Sequence, residues 1–276
     1  MNKLILQITQ ATSLSTQQAW WLLEHVTKKN RTQLEYNPHE LSDDEQAQLA
    51  HYVQEVAVKH KPLAYILGFV PFLDLELIVQ PPTLIPRPET EAWVHEVICM
   101  LKETNIENLR ILDLGTGSGC IGLSLAQALP LAQVYCLDIA QSAVDLAAKN
   151  AQKNNILNVR FLQSDLFAQL PQGLEFDLIV SNPPYIDPAV QLDKSVAAWE
   201  DHGALFAINK GIQIIEQIIQ QAHHHLKKND ALNYQLIMEI DASQGDIVQK
   251  LLETYNFKNI QIKKDQFDRD RTAWAQ

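Results

Sequence analysis

The stretch that decides the fold is Ile111-Leu112-Asp113-Leu114-Gly115-Thr116-Gly117-Ser118-Gly119, which a helical pattern follows over Ile121–Ala128. The chain has nine glycines, and four of them lie within residues 115–122. Glycines between an apolar strand and a helix let the backbone turn sharply and approach a ligand, because no Cβ stands in the way. This order of strand, glycine loop and helix indicates a domain that binds a nucleotide or a nucleoside.

The region around this loop alternates between two kinds of pattern. Short apolar stretches bounded by turns occur at Arg110–Leu114, Gln133–Asp138, Val159–Gln163, Phe176–Ser181 and Gln235–Ile240. Helical patterns lie between them, notably at Ser142–Asn154 and Ile212–Leu226. Such alternation predicts an α/β fold with a doubly wound, mostly parallel sheet. Two further apolar stretches, Asn259–Lys263 and Arg271–Ala275, are expected to add an antiparallel edge.

The N-terminal part, residues 1–62, has a helical character. Ser15–Gln18 and Ser42–Glu45 both match the capping box, with a hydroxyl at the cap and Gln or Glu three residues later. After Ser42, apolar residues recur at helical spacing until the chain reaches Pro62. We therefore predict a small helical bundle as the first domain.

The segment 63–91 has a different composition from its neighbours. Leu73–Leu77 alternates between apolar and acidic residues, which indicates a half-buried strand. Five of the twelve prolines fall within Pro71–Pro88, a density that excludes a regular helix there. This segment is predicted to be a hairpin and a proline-rich linker, and residues 92–276 to form the α/β domain.

Composition and charge limit the partners and the compartment. The chain has 22 Lys and Arg against 33 Asp and Glu, so it offers no surplus of positive charge to grip nucleic-acid phosphates. No apolar run approaches the roughly 20 residues that cross a bilayer, and no membrane association is expected. Cys99, Cys120 and Cys136 form no C-x-x-C pair, so neither a disulfide framework nor a metal site is expected. The expected compartment is the cytoplasm.

Two acidic residues near the loop bear on its ligand. Asp138 ends the next strand, 19 residues after Gly119, where a carboxylate can accept both hydroxyls of a ribose. Residues 117–122 also match G-x-G-x-x-G, so a nicotinamide dehydrogenase stays open. Asp113 would repel a pyrophosphate, yet it suits the ammonium and sulfonium of S-adenosylmethionine. The loop favours a methyltransferase and leaves the dehydrogenase as the alternative.

A second motif, Ser181-Asn182-Pro183-Pro184-Tyr185, directly follows an apolar strand. In a doubly wound sheet it should face the same crevice as the glycine loop. The prolines lack N–H groups, so the local backbone offers carbonyl acceptors without competing donors. The Asn182 side-chain oxygen and the Pro183 carbonyl can bind an –NH₂ group, with Tyr185 stacked on the planar group that carries it. This motif indicates methyl transfer to an amide or ring-conjugated nitrogen.

The chain resembles the release factor glutamine methyltransferases, members of the Rossmann-like methyltransferase class. The resemblance covers most of the length and rests on Tyr65-Ile66-x-Gly68, the block from Leu84 to Glu91, residues 113–119, Gln163-Ser164-Asp165-Leu166-Phe167 and residues 181–186. It implies methylation of the glutamine amide in the Gly-Gly-Gln motif of class I peptide chain release factors, with S-adenosylmethionine as the donor. The N-terminal bundle would then recognise the protein substrate.

The resemblance also assigns roles to individual residues. Cofactor binding would fall to Asp113, Gly115, Thr116, Gly117, Ser118, Gly119, Asp138, Asp165, Leu166 and Asn182. Substrate binding and catalysis would fall to Asn182, Pro183, Pro184 and Tyr185. The residues expected to line the site are Arg87, Glu89 and Thr90.

Other functions stay open at this point. A ribosomal-protein glutamine methyltransferase would use the same amide chemistry. A DNA adenine-N6 methyltransferase also uses Asn-Pro-Pro-Tyr, although the acidic balance argues against nucleic acid. The N-terminal bundle could instead be an interaction module that recruits the chain to a complex.

Overall fold

The computed structural model describes residues 2–36, 40–104, 106–228 and 232–276. The chain divides into two compact units, Met1–Phe69 with Leu192–Glu200, and Val70–Gln191 with Asp201–Gln276. This division differs in two respects from the three ranges predicted from the sequence, which are 1–62, 63–91 and 92–276. The hairpin and the proline-rich segment belong to the second unit, and a short piece from the C-terminal half belongs to the first.

The first unit is helical. Its helices are α1 (Asn2–Ala11), α2 (Thr16–Thr27), α3 (Arg31–Tyr36), α4 (Asp43–Lys59), α5 (Leu63–Leu67) and α9 (Lys194–Ala197). Both capping boxes are present: Ser15 and Ser42 each accept a bond from the backbone three residues on, and Gln18 and Glu45 accept in return. The apolar faces of these helices enclose a core centred on the buried Trp20.

The segment Leu192–Glu200 is bound into the first unit by Trp199. The Trp199 indole Nε1 donates to the Lys59 carbonyl at 2.9 Å, and the Lys61 ammonium lies 5.2 Å from the centre of the ring. One hydrogen bond and one cation–π contact therefore attach this segment to the chain just after α4.

The second unit is built on a seven-stranded sheet with the order β5-β4-β3-β6-β7-β9-β8. Its strands are β3 (Arg110–Leu114), β4 (Gln133–Asp138), β5 (Val159–Gln163), β6 (Leu178–Ser181), β7 (Leu236–Glu239), β8 (Gln261–Lys264) and β9 (Asp270–Ala275). The helices are α6 (Pro88–Glu103), α7 (Cys120–Ala128), α8 (Gln141–Lys153), α10 (His202–Leu205), α11 (Gln213–Ala222) and α12 (Gly245–Thr254). Strands β3 to β7 pair in parallel, whereas β9 pairs antiparallel with both β7 and β8. This mostly parallel sheet confirms the predicted fold class.

The predicted elements agree closely with this sheet. Strands β3, β4 and β5 have the predicted limits, and the antiparallel edge lies where the last two apolar stretches are. Strand β6 is shorter than expected, because Phe176 makes only an isolated bridge with Leu226. Helix α11 ends at Ala222 instead of Leu226, since His223 to His225 form a turn.

A separate hairpin of β1 (Phe69–Phe72) and β2 (Leu75–Ile78) precedes the sheet. Its second strand is held by the fully buried Asn150 of α8, which accepts from the Ile78 N–H at 2.7 Å and donates to the Ile78 carbonyl. The same amide also donates to the Ser118 carbonyl at 2.8 Å. Asn150 thus connects the hairpin to the glycine loop.

Apolar side chains cover both faces of the large sheet. One cluster includes Trp93 and Val97 of α6, and the other includes Ile215 and Ile219 of α11. Burial on both faces explains why the central strands β6 and β7 are mostly apolar, whereas β5 at the edge of the sheet also carries exposed polar residues. None of the described helices combines the length and apolar character that a bilayer span requires.

Candidate active site

The crevice lies where the order of strands reverses. Strand β3 has β4 on one side and β6 on the other, and the chain winds from β3 in both directions. Leu114 and Ser181 are register partners at the ends of β3 and β6, and the Ser181 hydroxyl donates to the Leu114 carbonyl at 2.8 Å. The glycine loop and the Asn-Pro-Pro-Tyr motif therefore begin side by side, at the position where doubly wound sheets bind ligands.

The glycine loop presents an open backbone surface to this crevice. Gly115 and Gly117 have φ angles of +70° and +55°, a region that side chains with a Cβ rarely adopt. No described atom lies within 4 Å of the position that a Cβ would take on Gly117. On Gly115 the nearest atom is the Asn182 carbonyl oxygen, at 4.0 Å. The Asn182 backbone therefore lies directly beside the loop.

The loop is held from beneath by Asp113. One carboxylate oxygen, Oδ2, accepts from the Thr116 hydroxyl at 2.6 Å and from the Gly122 N–H at 2.9 Å. The other, Oδ1, is buried and has no hydrogen-bond partner among the described residues. Burial raises the pKa of Asp113 to about 7, although the bonds from Thr116 and Gly122 lower it.

The position of Asp113 corrects the role that we expected for it. The residue is 0% exposed, so its carboxylate does not face a ligand bound on the loop. The expectation that it contacts an ammonium or sulfonium group, or repels a pyrophosphate at short range, is not supported by this geometry. Asp113 instead organises the loop through Thr116 and Gly122.

Three more loop residues face inward. Thr116 and Ser118 are 3% and 2% exposed, and a Cβ on Gly119 would meet Leu123 Cδ1 at 2.8 Å. Gly119 is the N-cap of α7, so its lack of a side chain permits close packing of the helix. Among the loop residues predicted to bind a cofactor, Gly115 and Gly117 are the ones that border the crevice.

Asp138 is placed as the sequence predicted, at the end of β4 beside the loop. Its Oδ2 accepts from the Gly117 N–H and its Oδ1 from the Ala140 N–H, each at 2.9 Å. Burial raises the pKa of this carboxylate, partly offset by those two backbone bonds. A carboxylate has about four acceptor positions, so capacity for two hydroxyl donors is left.

Asp165 and Leu166 follow β5, the next strand along the same edge. The Ser164 N–H donates to the Asp138 carbonyl at 2.8 Å, which holds the start of this loop against β4. Asp165 is exposed, and Leu166 is partly buried with a φ of +46°. Both residues thus lie on the Asp138 side of the crevice.

Asn182 lies on the opposite side, after β6. Its Nδ2 donates to the Thr90 hydroxyl at 3.3 Å, which brings a residue of α6 into the site. Pro183 is buried, and Pro184 and Tyr185 are partly buried. The Gln244 side chain donates to the Tyr185 carbonyl at 2.9 Å and thereby supports the end of the motif.

A buried carboxylate that we did not predict as a site residue stands behind this motif. Glu239 ends β7, is 1% exposed, and accepts bonds from Thr90, Trp93 and Tyr185. The sequence contained one signal for it, since it is an acidic residue at the carboxyl end of a strand next to β6. Thr90, in contrast, was expected to line the site and touches Asn182 directly.

Arg87 and Glu89 lie at the start of α6, with Arg87 as its N-cap residue. The pKa of Tyr185 is raised, first by burial and then by the charge of Glu239, whereas the positive charges of Arg271 and Arg87 oppose the shift. Arg87 is therefore near enough to act on Tyr185. Within the described ranges, no group of three His, Cys, Asp or Glu side chains could hold a metal ion.

The fold and the site together define a Rossmann-like methyltransferase. Residues 97–200 match the family model of the methyltransferase small domain, and residues 4–68 match that of the PrmC N-terminal domain. The chain belongs to the family of release factor glutamine methyltransferases. It is 36% identical to the member from Escherichia coli, over 96% of this chain and 93% of that protein.

A second relative and a solved structure agree with this placement. The release factor glutamine methyltransferase of Lactococcus lactis is 41% identical, over 83% of this chain and 82% of that protein. A methyltransferase structure from Pyrococcus furiosus aligns with a TM-score of 0.52 at 14% identity, over 85% of this chain and 98% of that one. At that identity the structural likeness supports the fold alone.

Proposed function

We propose that this protein transfers a methyl group from S-adenosylmethionine to the side-chain amide nitrogen of the glutamine in the Gly-Gly-Gln motif of class I peptide chain release factors. The observation that carries the proposal is the position of Asn182, which borders the same space as the open face of the glycine loop. A methyl donor on the loop and an amide held at Asn182 would then be neighbours. The names of the relatives supply the protein substrate.

The residues around the crevice fit the proposed cofactor. The loop at Gly115 and Gly117 is a cradle that a Cβ would fill, and Asp138 keeps acceptor capacity for the two ribose hydroxyls. Asp165 and Leu166 would lie at the adenine, beyond Asp138. When bound, S-adenosylmethionine supplies an electrophilic methyl group. Asp113 supports this site only through the loop above it.

The proposed substrate site consists of two oxygen acceptors and an aromatic ring. Asn182 Oδ1 and the Pro183 carbonyl accept the two hydrogens of the glutamine –NH₂, and Tyr185 packs against the plane of the amide. An amide nitrogen is a poor nucleophile because its lone pair is delocalised. As it attacks, it becomes positive and its hydrogens bond more strongly to fixed acceptors, so these acceptors stabilise the transition state more than the ground state.

The N-terminal helical unit is proposed to recognise the protein substrate. The ranges that we assign are residues 1–62 for recognition, 63–91 for the hairpin linker and 92–276 for methyl transfer. Since release factors act in translation, the proposed substrate places the protein in the cytoplasm. The net charge of −11 argues against a nucleic-acid substrate such as DNA adenine.

The decisive experiment is methylation by the wild-type protein with labelled S-adenosylmethionine. A class I release factor, a ribosomal protein and adenine-containing DNA are offered separately, and we expect label on the release factor alone. Changing the Gly-Gly-Gln glutamine of the release factor to alanine should abolish labelling. Label that persists in that variant, or that appears only on ribosomal protein or DNA, would overturn the proposed function.

The role of Asn182 is tested by Asn182→Ala, which removes one acceptor and leaves the glycine loop unchanged. We expect methyl transfer to fall by about 10²–10³-fold, as for the loss of one preorganised polar group at a developing charge. Affinity for S-adenosylmethionine, measured by calorimetry, should change by less than about threefold.

Asn182→Asp is the matched comparison, because it keeps an oxygen acceptor. A carboxylate must be desolvated when the substrate binds, and it attracts the sulfonium of the donor. This variant should therefore also be impaired, but less than the alanine variant. Wild-type rates in both variants would mean that Asn182 only shapes the turn.

A further inference from the structure

The carboxylate of Glu239 accepts hydrogen bonds from two residues of α6 and from Tyr185 after β6. Its Oε2 accepts from the Thr90 hydroxyl at 2.6 Å and from the Trp93 indole at 2.9 Å. Its Oε1 accepts from the Tyr185 hydroxyl at 3.0 Å. At 1% exposure, Glu239 is sealed from solvent, and all three of these neighbours donate to it.

A positive charge accompanies this buried carboxylate. The Arg271 guanidinium, from the neighbouring strand β9, lies 3.9 Å from Glu239 Oε1 and also contacts Asp265. An ion in a low-dielectric interior needs such compensation together with hydrogen bonds. The neighbours of Glu239 all present donors, so both of its oxygens act as acceptors.

This arrangement gives the hydrogen bonds a direction. A hydroxyl has one hydrogen, and that of Thr90 is given to Glu239. The Thr90 oxygen can then only accept from Asn182, so the amide nitrogen of Asn182 faces Thr90 at 3.3 Å. Because the two ends of an amide point in different directions, Asn182 Oδ1 is turned away from Thr90.

We propose that Glu239 and Thr90 are positioning residues, which orient the Asn182 amide so that its oxygen is offered to the –NH₂ group of the substrate. This inference rests on the proposed function. A reversed amide would present its own –NH₂ to the substrate nitrogen, and two donors would then face each other. Glu239 also accepts from the Tyr185 hydroxyl. One buried carboxylate thus orients both the Asn182 amide and the Tyr185 ring.

The first test compares Thr90→Val with Thr90→Ser. Valine has nearly the shape of threonine but cannot accept from Asn182, whereas serine keeps the hydroxyl. With the release factor as substrate, we expect kcat to fall by about 10–100-fold in Thr90→Val and by less than about threefold in Thr90→Ser. The affinity for S-adenosylmethionine and the KM for the release factor should stay near their wild-type values.

The second test reverses the direction of the bonds. In Glu239→Met the strong acceptor is gone, so the Thr90 hydroxyl is free to donate to Asn182, which favours the reversed amide. A similar fall in kcat is expected. If both residues act through one chain of bonds, the double variant with Thr90→Val should lose little more than either single variant. If the loss of kcat in the double variant equals the product of the two single losses, the inference is contradicted.

A control and a measurement without substrate complete the design. Thr27→Val removes a buried hydroxyl of the first unit, one that donates to the Leu23 carbonyl and has no bond to Asn182. It should lower stability but not kcat.

In the wild-type protein, NMR should show an Overhauser effect between the Asn182 side-chain NH₂ and the Thr90 methyl group, and Glu239→Met should weaken it. Wild-type kcat in Thr90→Val, or an unchanged Overhauser effect in Glu239→Met, would refute the inference even if release factor is methylated. A wild-type protein that methylates no release factor would refute the proposed function instead, and the Overhauser effect would still decide the orientation.

Discussion

Gly117 and Gly173 adopt similar backbone conformations in different surroundings. Their φ angles are +55° and +76°, and no described atom lies within 4 Å of a Cβ built on either residue. Gly117 borders the crevice, whereas Gly173 lies in a turn between β5 and β6. An added methyl group therefore imposes a similar backbone strain at both positions, but only at Gly117 does it enter the space proposed for the ligand.

We use this pair as a matched prediction. Gly117→Ala and Gly173→Ala should each lower the free energy of unfolding by about 1 kcal/mol, measured by urea denaturation. Gly117→Ala should also weaken the binding of S-adenosylmethionine by at least about tenfold in calorimetry, because its methyl group occupies the cradle. Equal affinities in the two variants would show that the ligand does not rest on this face of the loop.

At the scale of residues, the place of a side chain in the fold could be predicted from the sequence when the residue belonged to a short motif. Asp138 and Asn182 could be placed because the first ends a recognisable strand and the second directly follows one. The contact between Thr90 and Glu239 joins residues 149 positions apart, and no local pattern connects them. Asp113 shows a different limit, since the sequence identified an acidic residue near the loop but could not tell that its carboxylate lies beneath it.

At the scale of elements, agreement depended on how continuous the apolar pattern was. Strands β3, β4 and β5 are short, mainly apolar stretches between turns, and their limits were predicted correctly. The two capping boxes were confirmed because a cap is set by side chains three residues apart. The short helices α9 and α10 carry too few residues for a periodic pattern, and neither was predicted.

The attachment of α9 through Trp199 gives a prediction about this segment. Trp199→Ala removes the hydrogen bond to Lys59 and the contact with Lys61. The segment 192–200 should then open more often, with proteolytic cleavage there rising about 5–30-fold, corresponding to a loss of roughly 1–2 kcal/mol. Limited proteolysis followed by mass spectrometry measures the rate at each site.

Trp21→Ala serves as the control for that experiment. Trp21 lies in α2, is 40% exposed, and belongs to the same helical unit. Its removal should leave cleavage within 192–200 near the wild-type rate. A similar increase in both variants would indicate general loosening of the unit, and the specific role of Trp199 would be lost.

At the scale of the whole molecule, the buried Asp113 couples stability to pH. Burial raises its pKa to about 7, above the value of about 4 in an unfolded chain. Between these two values the folded protein binds the proton and the unfolded chain does not. The contribution of Asp113 to the free energy of unfolding is therefore complete below about pH 4 and decreases as the pH rises to about 7.

Asp113→Asn tests this dependence, because an amide oxygen can still accept from Thr116 and Gly122 but has no charge to bury. The difference in unfolding free energy between wild type and variant should decrease by up to about 4 kcal/mol from pH 4 to pH 7. Asp138, whose pKa is also raised, contributes in the same direction in both proteins, and its charge is one of the causes that raise the pKa of Asp113. A difference that does not vary with pH would mean that Asp113 is ionised throughout this range.

The nine residues from Leu192 to Glu200 make the helical unit discontinuous along the chain. A single crossover between two related genes near residue 69 would combine most of one parental unit with the short remaining piece of the other. Trp199 and its partner carbonyl at Lys59 would then come from different parents. The unit stays intact in a chimaera only when both stretches are exchanged together. We therefore expect α4 and the 192–200 segment to fit each other when both come from one parent, and to fit less well when a single crossover takes them from two parents.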